Sequence, residues 1–183
     1  METKMDNLKN VLPIHDRIER DALKYERYKD QLNQVNPVEI DLFRSEVNAA
    51  FNRIFTGNGV HTETGYLPNS LTFETAKGNP YTSLNALSAD IMNNSRLVVS
   101  SDNNNSQLLP NDLNLYFRAT HDYLHYLYQK PFDFAGEYDV YKAQKLFHSN
   151  KIGRKILYSE IVLQAAYCTY FGKFSDAQKV IIY

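Results

Sequence analysis

The sequence predicts a mainly α, single-domain helical bundle with a minor short β element. Three observations carry this. Apolar residues recur at helical spacing over most of the chain beyond residue 36. Cap and stop residues punctuate those runs, as at Asn36-Pro37, Lys130-Pro131 and Gly172. Only two short runs, Leu71-Thr72-Phe73 and Leu97-Val98-Val99, have strand character, enough for a two-stranded sheet.

Taken in order, residues 1–13 read as a disordered, polar tail ending at Pro13. Residues 14–35 read as a charged N-terminal helix or arm. Ile14, Ile18, Ala22, Tyr25 and Leu32 give it a thin apolar stripe, suited to the surface or to docking on a partner. Residues 36–183 form the helical domain. Asn36 caps its first helix, Pro37 sits in the first turn, and Val38 to Phe55 follow at core spacing. Gly57-Asn58-Gly59 reads as its stop, and Val60 to Tyr81 as irregular apart from the first strand. Thr82 or Ser83 caps a helix to about Asn93. Ser100 to Gln107 is an Asn-rich loop, and Asn111 or Asp112 caps the next helix, which runs to Gln129. Phe132 to Gly136 reads as a tight aromatic connector before a helix over Glu137 to His148. A nearly all-apolar, hence buried, helix spans Ile152 to Phe171. Ser175-Asp176-Ala177-Gln178 has the form of a capping box for a last short helix.

The chain has 183 residues, enough for one domain burying about 70% of its unfolded surface. Its net charge is -1, and no basic aromatic patch is present, so there is no strong nucleic-acid signal. The single Cys168 excludes an intramolecular disulfide and reads as a small core residue. No apolar run reaches the roughly 18 residues of a membrane span, and Met1 to Asn10 lacks the apolar region of a secretory signal. A soluble protein of a reducing compartment is expected. There are 14 Tyr, 10 Phe and no Trp, which suits a core threaded with hydrogen bonds or a sticky interface. Glycine-rich phosphate loops, Gly-x-Ser-x-Gly and Cys-x-x-Cys are absent.

The chemistry concentrates between residues 118 and 164. His121 and His125 stand four apart on one helical face, where two imidazoles can reach one divalent metal; Arg118 joins their stripe. The following helix carries Glu137, Tyr141, Gln144 and His148 on one stripe, and the buried helix carries Glu160 and Gln164. A buried carboxylate is costly unless paired or metal-bound. Short connections make these helices antiparallel neighbours, so their polar stripes can converge. The expected ligands are His121, His125, Glu137 and Glu160, holding zinc, iron or manganese. Asp122, Tyr141 and Gln164 are expected around them, orienting the ligands. Glu160 and Arg118 are the candidate catalytic residues, with Glu160 or Glu137, whichever is not a ligand, as general base. The competing reading is structural. In it the two His form a satisfied polar pair, Glu137 is a carboxylate at a helix N-terminus, Glu160 pairs with Arg118, and His148 caps a helix end. His15 and His61 lie in surface-like sequence.

The succession Pro80-Tyr81, Ala89-Asp90-Ile91, Leu97-Val98-Val99, Phe117-Arg118-Ala119-x-His121-Asp122-Tyr123, Phe134-x-Gly136-Glu137 and Ser159-Glu160-x-x-x-Gln164 resembles a family of uncharacterised proteins of tailed bacteriophages and prophages. The resemblance covers roughly residues 40 to 175. In the family's motif the second His usually comes one residue later than His125. It implies phage origin, hence the host cytoplasm or the virion. A looser likeness joins the His-rich helix and later Glu to the iron site of aromatic amino-acid hydroxylases. Three functions follow as expectations. One is a phage metalloprotein acting by metal-assisted hydrolysis, with oxidation as the lesser alternative. Another is a virion or assembly protein, a homo-oligomer or a partner of other phage proteins. The last is a small regulator that binds a host protein through residues 14–34.

Overall fold

The computed structural model describes residues 13–55, 71–104 and 106–182. The expected tail over residues 1–12, the Gly57-Asn58-Gly59 stop, the irregular stretch through residue 70 and His61 lie outside the described residues. The described chain is mainly α with one small sheet. Helix α1 (Ile14–Arg27) is followed by a 3₁₀ turn (Leu32–Gln34) and α2 (Pro37–Phe55). Strand β1 (Thr72–Ala76), α3 (Leu84–Asn94) and β2 (Arg96–Ser100) form a βαβ unit. Then come α4 (Asn111–Tyr128), α5 (Phe134–Gln144), a 3₁₀ turn (Lys145–Phe147), α6 (Lys151–Tyr158), a π turn (Ser159–Leu163) and α7 (Gln164–Phe171).

Local chemistry explains the boundaries. The Asn36 side chain accepts from the Val38 N–H at 3.0 Å, with Pro37 in the first turn. Ser83 accepts from the Ala86 N–H at 3.2 Å, and Asp133 from the Gly136 N–H at 2.8 Å. That last bond moves the start of α5 back to Phe134, so the expected aromatic connector is partly helix. Helix α4 begins after Pro110 and has no side-chain cap. The β strands pair in parallel, Thr72 opposite Arg96 through Ala76 opposite Ser100, with α3 as the crossover that parallel pairing requires.

Helix α4 is the spine. Phe117 on one side joins a core with Phe43, Val47, Ile156 and Val162. Ala119 and Tyr123 on the other join Leu87, Ile91, Leu97 and Val99 beneath the sheet. Helix α1 is shorter than expected and is packed into the domain: Ala22 and Tyr25 are fully buried, and the Tyr25 ring meets Tyr167 of α7 edge-on at 5.7 Å. The chain leaves the helix at Tyr28 because Asp30 is needed elsewhere. Its carboxylate accepts from the Leu32 and Val180 N–H groups, at 3.2 and 2.8 Å.

The capping box at Ser175 does not open a helix. The chain from Lys179 to Ile182 runs without helix or strand between the α1–α2 connection and the π turn. Ile181 N–H donates to Ser159 Oγ at 3.0 Å, and Gln31 N–H donates to the Val180 carbonyl at 2.9 Å. Val180 and Ile181 are buried, so apolar burial overrides the local capping signal. No helix among the described residues is long and apolar enough to cross a membrane.

Candidate metal centre

The centre forms where the end of α4 meets the start of α5. Gln129 closes α4 in the left-handed region, φ 51°, and Lys130 N–H donates back to the His125 carbonyl at 2.9 Å. The reversal brings the Lys130 carbonyl to the Nδ1 edge of the His125 ring. Pro131 then lies flat against Gly136, where any Cβ would fall on the Pro131 carbonyl oxygen. Glycine is therefore required one residue before Glu137, and this close approach delivers Glu137 to the two imidazoles.

His121 Nε2 lies 2.9 Å from Glu137 Oε2 and 3.1 Å from His125 Nε2, and His125 Nε2 lies 3.5 Å from Glu137 Oε1. One ligand atom from each residue fits within 4.8 Å of the others. This group can hold a metal ion. A metal with bonds of roughly 2.0–2.1 Å separates neighbouring ligand atoms by about 3.0–3.4 Å, close to the spacing found here.

The other ring nitrogens decide what faces the centre. His125 Nδ1 donates to the Lys130 carbonyl at 2.9 Å, since a carbonyl oxygen only accepts. His121 Nδ1 donates to the amide oxygen of Gln144 at 3.0 Å. With both Nδ1 atoms protonated, each neutral imidazole turns its Nε2 lone pair inward. Two lone pairs and a carboxylate then meet at one point, and only a cation or an added proton can hold them together. Without a metal that proton sits on His121. Burial disfavours the charge there, but the Glu137 carboxylate outweighs burial and raises the imidazole well above its ordinary value. In turn, burial works against the Glu137 charge, but His121 and His125 hold the carboxyl well below the usual carboxylate range. His125 is fully buried beneath Phe132, whose ring lies 4.7 Å away, while the His121 and Glu137 side chains stay 15% and 20% exposed. The cluster therefore opens to solvent on the Glu137 side.

The remaining expected residues are not among the three that cluster. Glu160 is not brought into this cluster. Its Oε2 accepts from Gln164 at 3.2 Å and from the Gln178 amide, while its buried Oε1 has no partner. Burial pushes its carboxyl up to about 8. The π turn changes the helical phase at this point, which regular helical spacing cannot foresee. Gln164 accordingly belongs with Glu160. Arg118 bonds neither Glu160 nor the imidazoles. Its guanidinium donates to the carbonyls of Ser100, Asp102 and Asn103 at 2.8, 2.7 and 3.2 Å, clamping α4 to the end of β2. Tyr141 packs edge-on against Tyr158 at 5.1 Å, beneath Lys145. Asp122 is half-buried, and burial pushes its carboxyl up to about 6.

His148 follows the 3₁₀ turn after α5, but its ring is buried instead of capping in water. It stacks on Phe43 at 4.8 Å and donates from Nδ1 to the Glu46 carboxylate at 3.0 Å; Glu46 also accepts from Ser149. Two groups that hold the imidazoles are not among the expected site residues: Gln144, which shares the Glu137 stripe, and the Lys130 carbonyl, which is backbone and has no residue signature. Glu46, on the apolar-spaced helix α2, serves His148 alone among the imidazoles.

No protein-family model matches this chain, and neither curated proteins nor solved structures give a match.

Proposed function

We propose that His121, His125 and Glu137 bind one divalent metal that activates water for hydrolysis, in a phage-encoded enzyme. The observation that carries the metal reading is the tautomer conflict: two imidazole lone pairs and a carboxylate converge with their outer nitrogens already committed as donors. Two His and one carboxylate leave positions open on zinc, iron or manganese. An open position on the exposed Glu137 side admits water, whose acidity the metal raises. The phage origin rests on the motif resemblance alone. Elemental analysis of purified protein tests the reading. One equivalent of metal is expected in the wild type and none in His121→Ala or Glu137→Ala. No stoichiometric metal in the wild type ends the idea.

A second reading has one specific observation in its favour. The same contacts of 2.9 and 3.1 Å are hydrogen-bond distances if His121 carries the extra proton. The cluster would then be a buried polar network in a virion or assembly protein. A melting temperature indifferent to chelator and to added zinc would favour it.

A further inference from the structure

Helix α5 and the 3₁₀ turn after it carry Tyr138, Tyr141, Lys142 and Lys145 at i, i+3, i+4 and i+7, which is one helical face. Ring contacts join that face to α1 and to the end of α6. Arg17 lies over the Tyr138 ring at 4.4 Å, and Lys142 over the same ring at 5.1 Å. Lys145 lies over the Tyr141 ring at 5.7 Å. The rings also touch one another, Tyr138 and Tyr141 at 6.2 Å and Tyr141 and Tyr158 at 5.1 Å between centroids. All three tyrosines are half-buried, and Lys142 is exposed.

This patch is short of carboxylates. Among the described residues Arg17 and Lys145 make no ion pair, and Lys142 shares Asp139 with Lys130. Asp21 is buried and taken by Arg20 and the Tyr158 hydroxyl. The Tyr138 and Tyr141 hydroxyls have no hydrogen-bond partner among the described residues. Lys142 and Lys145 stand three apart, a like-charge spacing that weakens a helix. The whole chain has a net charge of -1, so this gathering of positive charge is local. Its members come from separate segments of the chain, and no single run of sequence displays it.

Rings interleaved with unpaired cations are the means by which proteins hold a nucleic-acid strand: cations take the phosphates and ring faces take the bases. Magnitudes decide between that occupant and a bare polyanion. An exposed cation over a ring is worth about 2- to 5-fold in an equilibrium constant. A base stacked on the ring is worth about 5- to 150-fold. A base therefore displaces the Lys145 ammonium from Tyr141, and the freed ammonium meets a neighbouring phosphate. A polyphosphate or a lipid headgroup has no π face to make that exchange. We infer that the Tyr138/Tyr141 face binds single-stranded nucleic acid, with Tyr141 as the stacking platform and Arg17, Lys142 and Lys145 on the phosphates. The inference does not depend on the metal reading.

The test is fluorescence anisotropy of a labelled oligothymidylate of about 12 nucleotides, titrated with the full chain. Binding is expected at about 50 mM salt, weakening roughly 7- to 20-fold by about 200 mM, the dependence of two to three phosphate contacts on a single strand. Affinity should be the same with and without EDTA. Lys145→Ala should make the logarithmic salt slope shallower by about 0.7, while Lys173→Ala, outside the patch, should leave it alone. Tyr141→Leu should weaken binding at least about fivefold at unchanged slope, and Tyr141→Phe should keep the wild-type affinity. Each variant is checked for folding by circular dichroism. Absence of binding at low salt overturns the inference, as does binding that EDTA abolishes in folded protein, which would belong to the metal centre. Equal affinity in wild type and Tyr141→Leu, or an unchanged slope in Lys145→Ala, overturns it too. So does tighter binding of inorganic polyphosphate, of phosphatidylserine vesicles or of duplex DNA of the same length. If Tyr141→Leu does not fold, the Lys145→Ala slope and the polyphosphate comparison decide.

Discussion

Two carboxylates, Glu137 partly buried and Glu160 fully so, meet opposite fates in this fold. Glu137 faces two imidazoles whose outer nitrogens already donate, and the positive charge held between their inner nitrogens keeps its carboxyl ionised despite burial. Glu160 faces two amide groups and one unsatisfied oxygen site, and burial favours its neutral acid. Sequence context barely separates them, since each is a glutamate in an apolar helix of the C-terminal half. What separates them is the protonation state imposed by partners. One arrangement presents an electron-rich pocket suited to a cation. The other helps fasten the C-terminal segment onto the π turn through Gln178.

The sharpest way to break the contrast is at Gly136. Gly136→Ala places a methyl group on the Pro131 carbonyl, so the turn between α4 and α5 must open. Stability should fall by about 1–3 kcal/mol, as for other overpacked sites, and metal uptake should vanish. Denaturant unfolding with elemental analysis checks both, and the Glu160 region should be untouched. Next in size is Gln144→Leu, which removes the acceptor that fixes the His121 tautomer. Metal affinity should drop about 10–100-fold by competition titration, with Gln144→Glu restoring it. Unchanged affinity would mean that the outer nitrogen does not control the centre.

The smallest effect concerns the second carboxylate and is a slope. The Glu160 carboxyl, raised to about 8, stands above its unfolded value. The stability it contributes is complete below the unfolded value, near pH 4.3 (~), and lost as pH rises through about 8. Melting temperature should therefore decline from about pH 5 to about pH 9 in wild type, and decline less in Glu160→Gln. Parallel curves for the two proteins would refute that assignment.

The regular elements were legible because their signals are local. Asn36-Pro37, Ser83 and the period of α2 and α3 need no tertiary knowledge, and the His121/His125 pair follows from helical geometry alone. The misreadings share a cause: a side chain with local propensity was claimed by a distant partner. Asp30 ends the N-terminal helix early because it holds Val180. Gln178, which would complete a capping box, is used on Glu160. Arg118 shares the His stripe by spacing, yet the carbonyls after β2 capture it. Of the cluster itself, His121, His125 and Glu137 and their order along the chain were readable, while Glu160 was counted among them and stands apart. The rotation of the last long helix was not readable, because a π turn leaves no reliable trace in residue spacing.

That widened turn has a consequence for how the chain tolerates editing. A π turn holds one residue more than a regular α turn, so removing one residue from 159–163 lets the turn rewind as ordinary α-helix and leaves α7, with its Tyr167–Tyr25 contact, in place. What such a deletion disturbs is local: the positions of Ser159 and Glu160, which hold the 178–181 stretch. Length is thus less constrained at this buried turn than its burial suggests, and the identity of those two polar side chains is more so.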